Sequence, residues 1–564
     1  MVVQLASGST VDDLRHELDG LGGDSRFGID PAEIVPRVVQ DAASTRGTGI
    51  AVLALIVGLA TVVVLGQVLA RQVRRSDQQE LVLQALGMSR PQRVAEQVGQ
   101  AAVPVLVGAL LAGVVAAAVS GWFPLGFVEQ IEPDPGLRVD PLVHLLGPVV
   151  VAAAVLAWVT VSVVATRRRA RVSTTQGPLD RVVTKIRHAS IATGVRFAFQ
   201  RFPGEPGTGR IALTGLVVVL AGLVAAATFG ASLGRLVDEP ERYGAYDLVI
   251  GQGGDLPPDL GDALAQDDDV AGYGLGGTAL TSVGADSLDV SAIQTLKGDV
   301  DPYVFRGRLP VEDDEVALGK VSARHFGVDV DDDLVIGGAD EAQTLHVTGI
   351  VLMPSIEGGE GIGTGALVTV DRLGLIDPDA SLSAGLVDLA PGSSPGAVMS
   401  RIADQFGLGG AFVPEDEIGG SAPGDIINLD RIRAIPFVVA GAFAALAVLT
   451  LSHQLIVSGR RRRRDLAVLR ALGADARWVT AVVHTQATAV ALVALVVALP
   501  AGLLVGRVVF RAFVERIGAL EGVAYGSAFL VASALLVLVL ANLIALGTDR
   551  AARRRTTARL LAAE

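Results

Sequence analysis

The chain has no cysteine, which excludes disulfides and cysteine-ligated metals and leaves the redox compartment undetermined. Lysine is almost missing: only Lys185, Lys297 and Lys320 occur, and arginine carries the positive charge. Aromatic residues make up 4% of the chain. No Gly-x-x-x-x-Gly-Lys-Ser/Thr is present, because Gly319-Lys320 lacks both the upstream glycine and the following hydroxyl residue. ATP hydrolysis through a P-loop is therefore excluded for this chain alone. The 7 histidines are scattered, so the sequence offers no metal-ligand cluster. The reading is of a protein that is not itself an enzyme and holds no cofactor and no metal.

What is present is apolar. Of 564 residues, 51% are hydrophobic, and the mean hydropathy is +0.51. The excess gathers in blocks, as in an integral membrane protein. Seven stretches reach the ~20 residues of helix that a hydrocarbon core requires. They lie near 50–70, 101–120, 145–166, 211–233, 434–457, 482–505 and 526–547. A buried soluble helix accounts for one such run but not for seven.

The net charge of −13 hides a separation of signs along the chain. Arg71, Arg74, Arg75, Arg90 and Arg93 follow the first span, and Arg167, Arg168, Arg169 and Arg171 follow the third. Arg460 to Arg464 follows the fifth, and Arg550, Arg553, Arg554 and Arg555 follow the seventh. The alternate connections are acidic, with Glu129, Glu132, Asp134 and Asp140 in one and a large excess of Asp and Glu in 234–433. The positive-inside rule then places 71–100, 167–210, 458–481 and 548–564 in the cytoplasm. Residues 234–433 fall outside, as do residues 1–49.

The chain repeats itself at long range. Glu80-Leu81-Val82-Leu83-Gln84-Ala85-Leu86-Gly87 returns as Leu466-Ala467-Val468-Leu469-Arg470-Ala471-Leu472-Gly473 in part, with Gly87 and Gly473 386 residues apart. Gln100-Ala101 and Gln486-Ala487 keep that offset. Val3-Gln4-Leu5-Ala6-Ser7-Gly8-Ser9 resembles Val387-Asp388-Leu389-Ala390-Pro391-Gly392-Ser393 at a nearby offset. A period this long marks a duplicated unit and not a solenoid. One unit is whole, about 190–564, and the other is represented by 1–170. Residues 1–49 are polar and carry no signal peptide. The expectation is that a preceding helix and external domain belong to the first unit.

Residues 234–433 suit one domain or two small ones. Short β-type runs such as Asp247-Leu248-Val249-Ile250, Leu334-Val335-Ile336 and Leu345 to Val351 are punctuated by Gly and Pro. The stretch 394–406 reads as a helix with Ala397, Val398, Ile402 and Phe406 on one face. The domain is α+β. Its acidic clusters Asp267 to Asp269, Glu312 to Glu315 and Asp331 to Asp333 lack the alternating spacing of a calcium loop and read as solvated turns. Gly272 to Gly277 lacks the βαβ context of a dinucleotide site.

Gly-x-Ser-x-Gly occurs at Gly230 to Gly234 and at Gly392 to Gly396. The first match ends a span and the second reads as a plain turn, so neither is taken as a nucleophile elbow. The spans carry essentially no ionisable group near their centres, where ion-coupled carriers need one. His453 and His484 sit near the cytoplasmic ends, and with Asn542 they read as interface or packing residues. Small residues such as Ala440, Gly441, Ala442 and Ala444 let helix backbones approach.

The cytoplasmic copy Arg464 to Gly473 has a helical pattern. Leu466, Leu469 and Leu472 form an apolar strip, and Gly473 suits a helix C-terminus. Trp478 to Val483 leads into the next span. A short helix of this kind can dock in a partner's groove or lie on lipid.

These residues resemble the FtsX-like permease family, the membrane subunits of MacB-type ABC transporters. The resemblance rests on Arg460 to Gly473, a basic run, an acid and then Leu-Ala-Val-Leu-Arg-Ala-Leu-Gly. The first copy departs from it, with Gln79 at the acid's place and Gln84 at the arginine's. Both copies carry Gln, at Gln100 and Gln486, where the family usually has Glu. Gly307-Arg308-Leu309-Pro310, Glu315 to Gly319, Ala323, Phe326 to Val328, Asp333 to Ile336 and Val347 to Ile350 follow the order of the family's extracytoplasmic core domain. Val195 to Arg201 resembles the interfacial helix that opens a family unit.

The resemblance implies the following layout. Residues 1–49 are the tail of a first extracytoplasmic domain, and 50–170 are a first permease unit with three spans. Residues 171–210 are a cytoplasmic linker and interfacial helix, and 211–233 are the first span of the second unit. Residues 234–433 are a MacB-like extracytoplasmic core domain, and 434–564 carry the last three spans. The whole is an integral α-helical protein of the bacterial cell membrane, with about seven transmembrane helices and an α+β extracytoplasmic domain.

The implied function is that of a transporter permease. A separate cytoplasmic ATP-binding dimer drives the external domain to export or extract lipid, lipoprotein, peptide or antibiotic. Docking of that subunit falls to Asp465, Leu466, Leu469, Arg470 and Gly473, and to Glu80, Leu83 and Gly87. Membrane lipid and an extracytoplasmic substrate-binding or cell-wall protein are further partners; nucleic acid is not. The alternative is a signalling device of the same architecture that activates a cell-wall hydrolase without transport.

Overall fold

Helices here are long because the apolar runs are long. The structure is a computed structural model. It describes residues 86–120, 141–169, 186–199, 208–250, 256–337, 342–356, 361–406, 424–461 and 473–553, less Pro258, Ala285, Asp379 and Tyr525 and with a few isolated positions besides. They divide into two compact units, one of segments 1–51, 232–433 and 510–523, the other of 52–231, 434–509 and 524–564.

The second of these is all helical among its described residues. It contains α1 (Arg90–Ser120), α2 (Pro141–Arg169), α3 (Ala189–Phe199) and most of α4 (Thr208–Asp238). Among the described residues five helices are long and apolar enough to cross a membrane: Pro91–Ala118, Leu213–Asp238, Leu429–Ile456, Ala476–Ile517 and Leu530–Gly547. The run expected at 145–166 falls in α2, a helix of 29 residues that includes the apolar stretch Leu146–Val161. The run at 50–70 lies largely outside the described residues. The chain is a multi-pass membrane protein.

The helical core of the second copy joins four helices. Leu216, Leu220 and Leu223 of α4 meet Ala440, Phe443 and Leu451, then Ala487, Ala491 and Ala498, then Ala541 and Ala545. α4 is the innermost of the four. Gly502 and Gly506 abut it at Ala221 and Ala225, the close approach that small residues permit. The expected small-residue face is only half right. Ala440 is buried and Ala444 packs on the core, but Gly441 and Ala442 face outward, since successive residues turn by 100° and Phe443 takes the inward place. α3 begins earlier than the 195–201 stretch read from sequence, whose last two residues lie outside the described ones.

The other unit is α+β. In chain order it runs β1 (Leu248–Ile250), α5 (Leu260–Gln266), β2 (Val270–Val283), β3 (Asp286–Lys297), β4 (Val304–Gly307), β5 (Glu315–Gly319), α6 (Lys320–Phe326), β6 (Asp333–Ile336), β7 (Gln343–Val351), β8 (Ala366–Leu367), α7 (Val370–Ile376), β9 (Ala384–Leu389), α8 (Pro395–Phe406) and α9 (Gly424–Ile432). The strands form one mixed sheet in the order β1-β9-β2-β3-β8-β5-β7-β4, with β6 also on β7. The pairs β3/β8 and β5/β7 are parallel. The register sets Tyr273 beside Val387 and Val316 beside Val347.

Helices cover this sheet through two of its apolar clusters. α5 and α8 cover β1, β2 and β9 through Leu260, Leu264, Val398 and Ile402. α6 and α7 cover β3, β5, β6 and β7 around Leu318, Leu345 and Leu373. On α8 the residues Val398, Ile402 and Phe406 face the core at i, i+4 and i+8, as expected, but Ala397 is exposed and Met399 packs instead. The helices α10 (Ile435–Arg461), α11 (Ala476–Ile517) and α12 (Ser527–Arg553) complete the chain. α11 is 42 residues long, and residues from Phe510 onward belong to the sheet-bearing unit.

Candidate functional site

The docking motif ends in a turn, and the structure describes that turn in both copies. Gly87 has φ +84° and Gly473 has φ +100°, a left-handed backbone that suits glycine after a helix C-terminus. α1 starts three residues after Gly87, at Arg90, and α11 starts three residues after Gly473, at Ala476.

The two helix starts are capped by opposite halves of one device. In the second copy Asp475 is the N-cap, and its Oδ1 accepts from the backbone N–H of Trp478 at 2.8 Å. In the first copy Ser89 is the N-cap, and its own N–H donates to Oε1 of Gln92, three residues on, at 2.9 Å. Arg93 N donates to Ser89 O at 3.1 Å and Val479 N to Asp475 O at 3.2 Å, closing the first helical turn in each. A carboxylate at an N-terminus also complements the helix dipole, so the second junction is the more strongly fixed.

Of the residues expected to dock a partner, Gly87 and Gly473 are thus placed at equivalent turns. Asp465, Leu466, Leu469, Arg470, Glu80 and Leu83 lie outside the described residues. Gln486, at the family's glutamate position, is buried; Gln100 is exposed and donates to Glu96.

His484 and Asn542, read as packing residues, belong to a hydrogen-bonded set that sequence reasoning did not assemble. The imidazole Nδ1 of His484 lies 2.9 Å from Oδ1 of Asn542, and Asn542 Nδ2 donates to Thr488 Oγ1 at 3.0 Å. Thr488 is the member the sequence reading missed, although His484 and Thr488 stand at i and i+4 on α11.

In the sheet-bearing unit, the motif around Arg308 proves to be a folded lock. Arg308 pairs in a two-pronged fashion with Glu315, at 2.6 Å through Nη1 and by a second contact through Nη2. The same carboxylate accepts from the backbone N–H groups of Val311 (2.8 Å) and Glu312 (3.2 Å). The Arg308 guanidinium, with these amides, holds the Glu315 carboxyl down at about 2. Glu315 therefore organises the loop and is no free acid for chemistry.

Asp388 on β9 behaves oppositely. Burial, reinforced by the neighbouring Asp247, pushes its carboxyl up to about 6. Asp247 is itself engaged, accepting from Leu389 N at 2.8 Å. The second Gly-x-Ser-x-Gly match does lie between a strand and a helix, β9 and α8, with Ser394 exposed. The two histidines among this unit's described residues are paired elsewhere, His325 with Asp286 at 3.1 Å and His346 with Asp333 at 3.2 Å.

The sequence reading also missed the burial of Phe510, Phe513, Val514 and Ile517 at the end of α11. A signal existed. Phe127-Val128-Glu129-Gln130-Ile131 recurs as Phe513-Val514-Glu515-Arg516-Ile517 at the 386-residue offset, four identities in five.

Comparison with known families finds the same offset independently. The model of the FtsX-like permease C-terminal domain matches residues 51–170 and again 437–556. Among curated proteins, none matches the chain.

Proposed function

We propose that this chain, in which the FtsX-like permease C-terminal domain is matched twice, is the membrane subunit of an ABC transporter driven by a separate cytoplasmic ATPase. A permease-type role follows from the family; the coupling and cargo are the proposal. The observation that carries it is the pair of equivalent junctions, Gly87-to-Arg90 and Gly473-to-Ala476. Each begins a membrane helix directly after the motif of Glu80 to Gly87 or Asp465 to Gly473. A docked partner pushing on that motif acts on a capped helix end, where a carboxylate or amide bond fixes the first turn.

In this reading 71–100, 167–210, 458–481 and 548–564 face the cytoplasm, and the 234–433 domain lies outside. ATP binding and hydrolysis in the partner move the docking helices, and the external domain responds. The cargo is lipid, lipoprotein, peptide or antibiotic. The absence of charged groups at the span centres supports a lever over an ion-coupled carrier.

The test is co-purification with the cognate ATP-binding subunit. Replacing Leu469 and Arg470 together by Asp abolishes the complex and leaves membrane insertion intact. The same change at Leu83 and Gln84 has the smaller effect, because Gln84 stands where the second copy has arginine. Undiminished binding by the Leu469/Arg470 variant removes the docking assignment.

A further inference from the structure

The polar set on α11 and α12 has a geometry that packing alone does not require. Asn542 uses both ends of its amide. Its Oδ1 accepts from His484 Nδ1 at 2.9 Å and lies 3.3 Å from the Thr488 hydroxyl. Its Nδ2 donates to Thr488 Oγ1 at 3.0 Å and to the carbonyl oxygen of Leu538, one turn back on its own helix, at 2.9 Å. The amide is thus held on α12 and reaches across to two residues of α11. All three side chains lie within apolar helices and are half-buried.

The first copy carries none of this. At the same offset His484, Thr488 and Asn542 become Val98, Ala102 and Leu156. There Leu156 packs on Ala101 and Val159, an apolar contact between α1 and α2. The apolar neighbours of the set are, by contrast, shared between copies: Ala101 and Ala487, Val155 and Ala541, and Val159 and Ala545 are all buried. The duplicated framework is shared while the polar triad stands in one copy.

We infer that Asn542 is a register pin, locking the base of α11 to α12 in the second copy alone. Apolar side chains tolerate sliding, because one methyl contact replaces another at little cost. Hydrogen bonds are directional, and an amide in a hydrocarbon surround has no water to turn to. Slipping α12 by one turn, ~5.4 Å, breaks the bonds to His484 and Thr488 together. His484 lies eight residues beyond the start of α11, about 12 Å along the helix. The pin therefore fixes the segment that follows the Gly473 turn. Its consequence for coupling rests on the function proposed above: a push at that turn is passed to α12 without slip in the second copy, and with slip permitted in the first. The pin itself does not depend on that reading.

The chain lacks cysteine, so spin labels go where they are placed. Arg477→Cys and Gly547→Cys, both at exposed positions, report the α11–α12 separation by pulsed electron resonance on the full chain in lipid nanodiscs. The parent gives one narrow distance distribution. Asn542→Leu, the residue of the first copy, and Thr488→Val, which keeps the shape and removes the hydroxyl, each add a second population. Thr488→Ser, which restores the hydroxyl, returns the narrow one. Distributions as narrow as the parent's in Thr488→Val overturn the inference, and so does Thr488→Ser broadening as much as Thr488→Val. Should Asn542→Leu fail to accumulate, the Thr488 pair decides. Because no ATPase takes part, failure of the coupling proposal leaves these distances as expected, and loss of the pin leaves co-purification unaffected.

Discussion

Gly363 and Gly518 touch backbone to backbone. A Cβ placed on either would lie 2.9 Å from the α-carbon of the other, and one on Gly363 would also lie 3.0 Å from the carbonyl oxygen of Ile517. Both have left-handed φ, +69° and +80°. Around them Arg324 donates to Arg516 O at 2.6 Å, and Leu520 N donates to Arg242 O at 2.8 Å. Arg242 Nη1 donates to Glu521 O at 3.2 Å. Residues 510–523 are in this way stitched into the sheet-bearing unit.

Gly518→Ala should therefore destabilise that unit. The new methyl meets Gly363 and forces an unfavourable φ, each costing about 1 kcal/mol or more. Limited proteolysis of the intact chain, followed within 232–433, reads the loss. An equal rate of cleavage in the variant and the parent would contradict the contact.

Phe513→Ala is expected to cost ~3–5 kcal/mol in the same unit, since Phe513 is 1% exposed and packs beside Phe510 with ring centroids 6.3 Å apart. Thermal unfolding of the purified chain in detergent, with protease sensitivity of 232–433 as the unit-specific readout, checks it. Val508→Ala, at an exposed position on the same helix, serves as the neutral control.

These two predictions concern the part of the structure that the sequence hid best. The β-runs Leu248 to Ile250, Leu334 to Ile336 and Leu345 to Val351 were legible because Gly and Pro bound them and β-branched residues fill them. Val398, Ile402 and Phe406 were legible by helical spacing. Phe513 and Ile517 were not, because an apolar residue at the end of a membrane helix looks the same whether lipid or a folded domain covers it. At the candidate site, Gly473 and Gly87 were readable from the repeat, while Asn542 was not joined to Thr488. No local pattern links a residue of one helix to a residue of another.

Low pH should weaken the sheet-bearing unit through Glu315. Its folded carboxyl is depressed to about 2 from 4.5. The stabilisation is thus complete above the unfolded value and is lost as pH falls from about 4.5 toward 2. Glu315→Gln should lose this acid sensitivity and be less stable at neutral pH, because Arg308 and the Val311 and Glu312 amides lose their charged acceptor. Protease resistance measured across that pH range tests it.

Asp388 predicts the reverse slope. Its folded carboxyl is raised to about 6 from 3.8, so its charged form works against folding above pH 6, and stability is regained as pH falls from 6 toward 3.8. Asp388→Asn should stabilise the unit at pH 7.5 by ~1 kcal/mol, a figure held below the full shift because the group is partly solvated. The gain should vanish near pH 4. A variant no more stable than the parent at pH 7.5 would show that the buried charge carries no penalty.

Composition, periodicity and the 386-residue repeat were sufficient for the apolar helices, the duplication and the α+β character of 234–433, and the family came from the resemblance carried by Arg460 to Gly473, because each is written in local pattern or in copies of it. Only the folded chain decided which unit takes the end of α11, which of two signature acids is locked and which is strained, and which helices a polar triad joins. Burial and hydrogen-bond partnership are relations between residues distant in sequence, and they exist once the chain has brought those residues together.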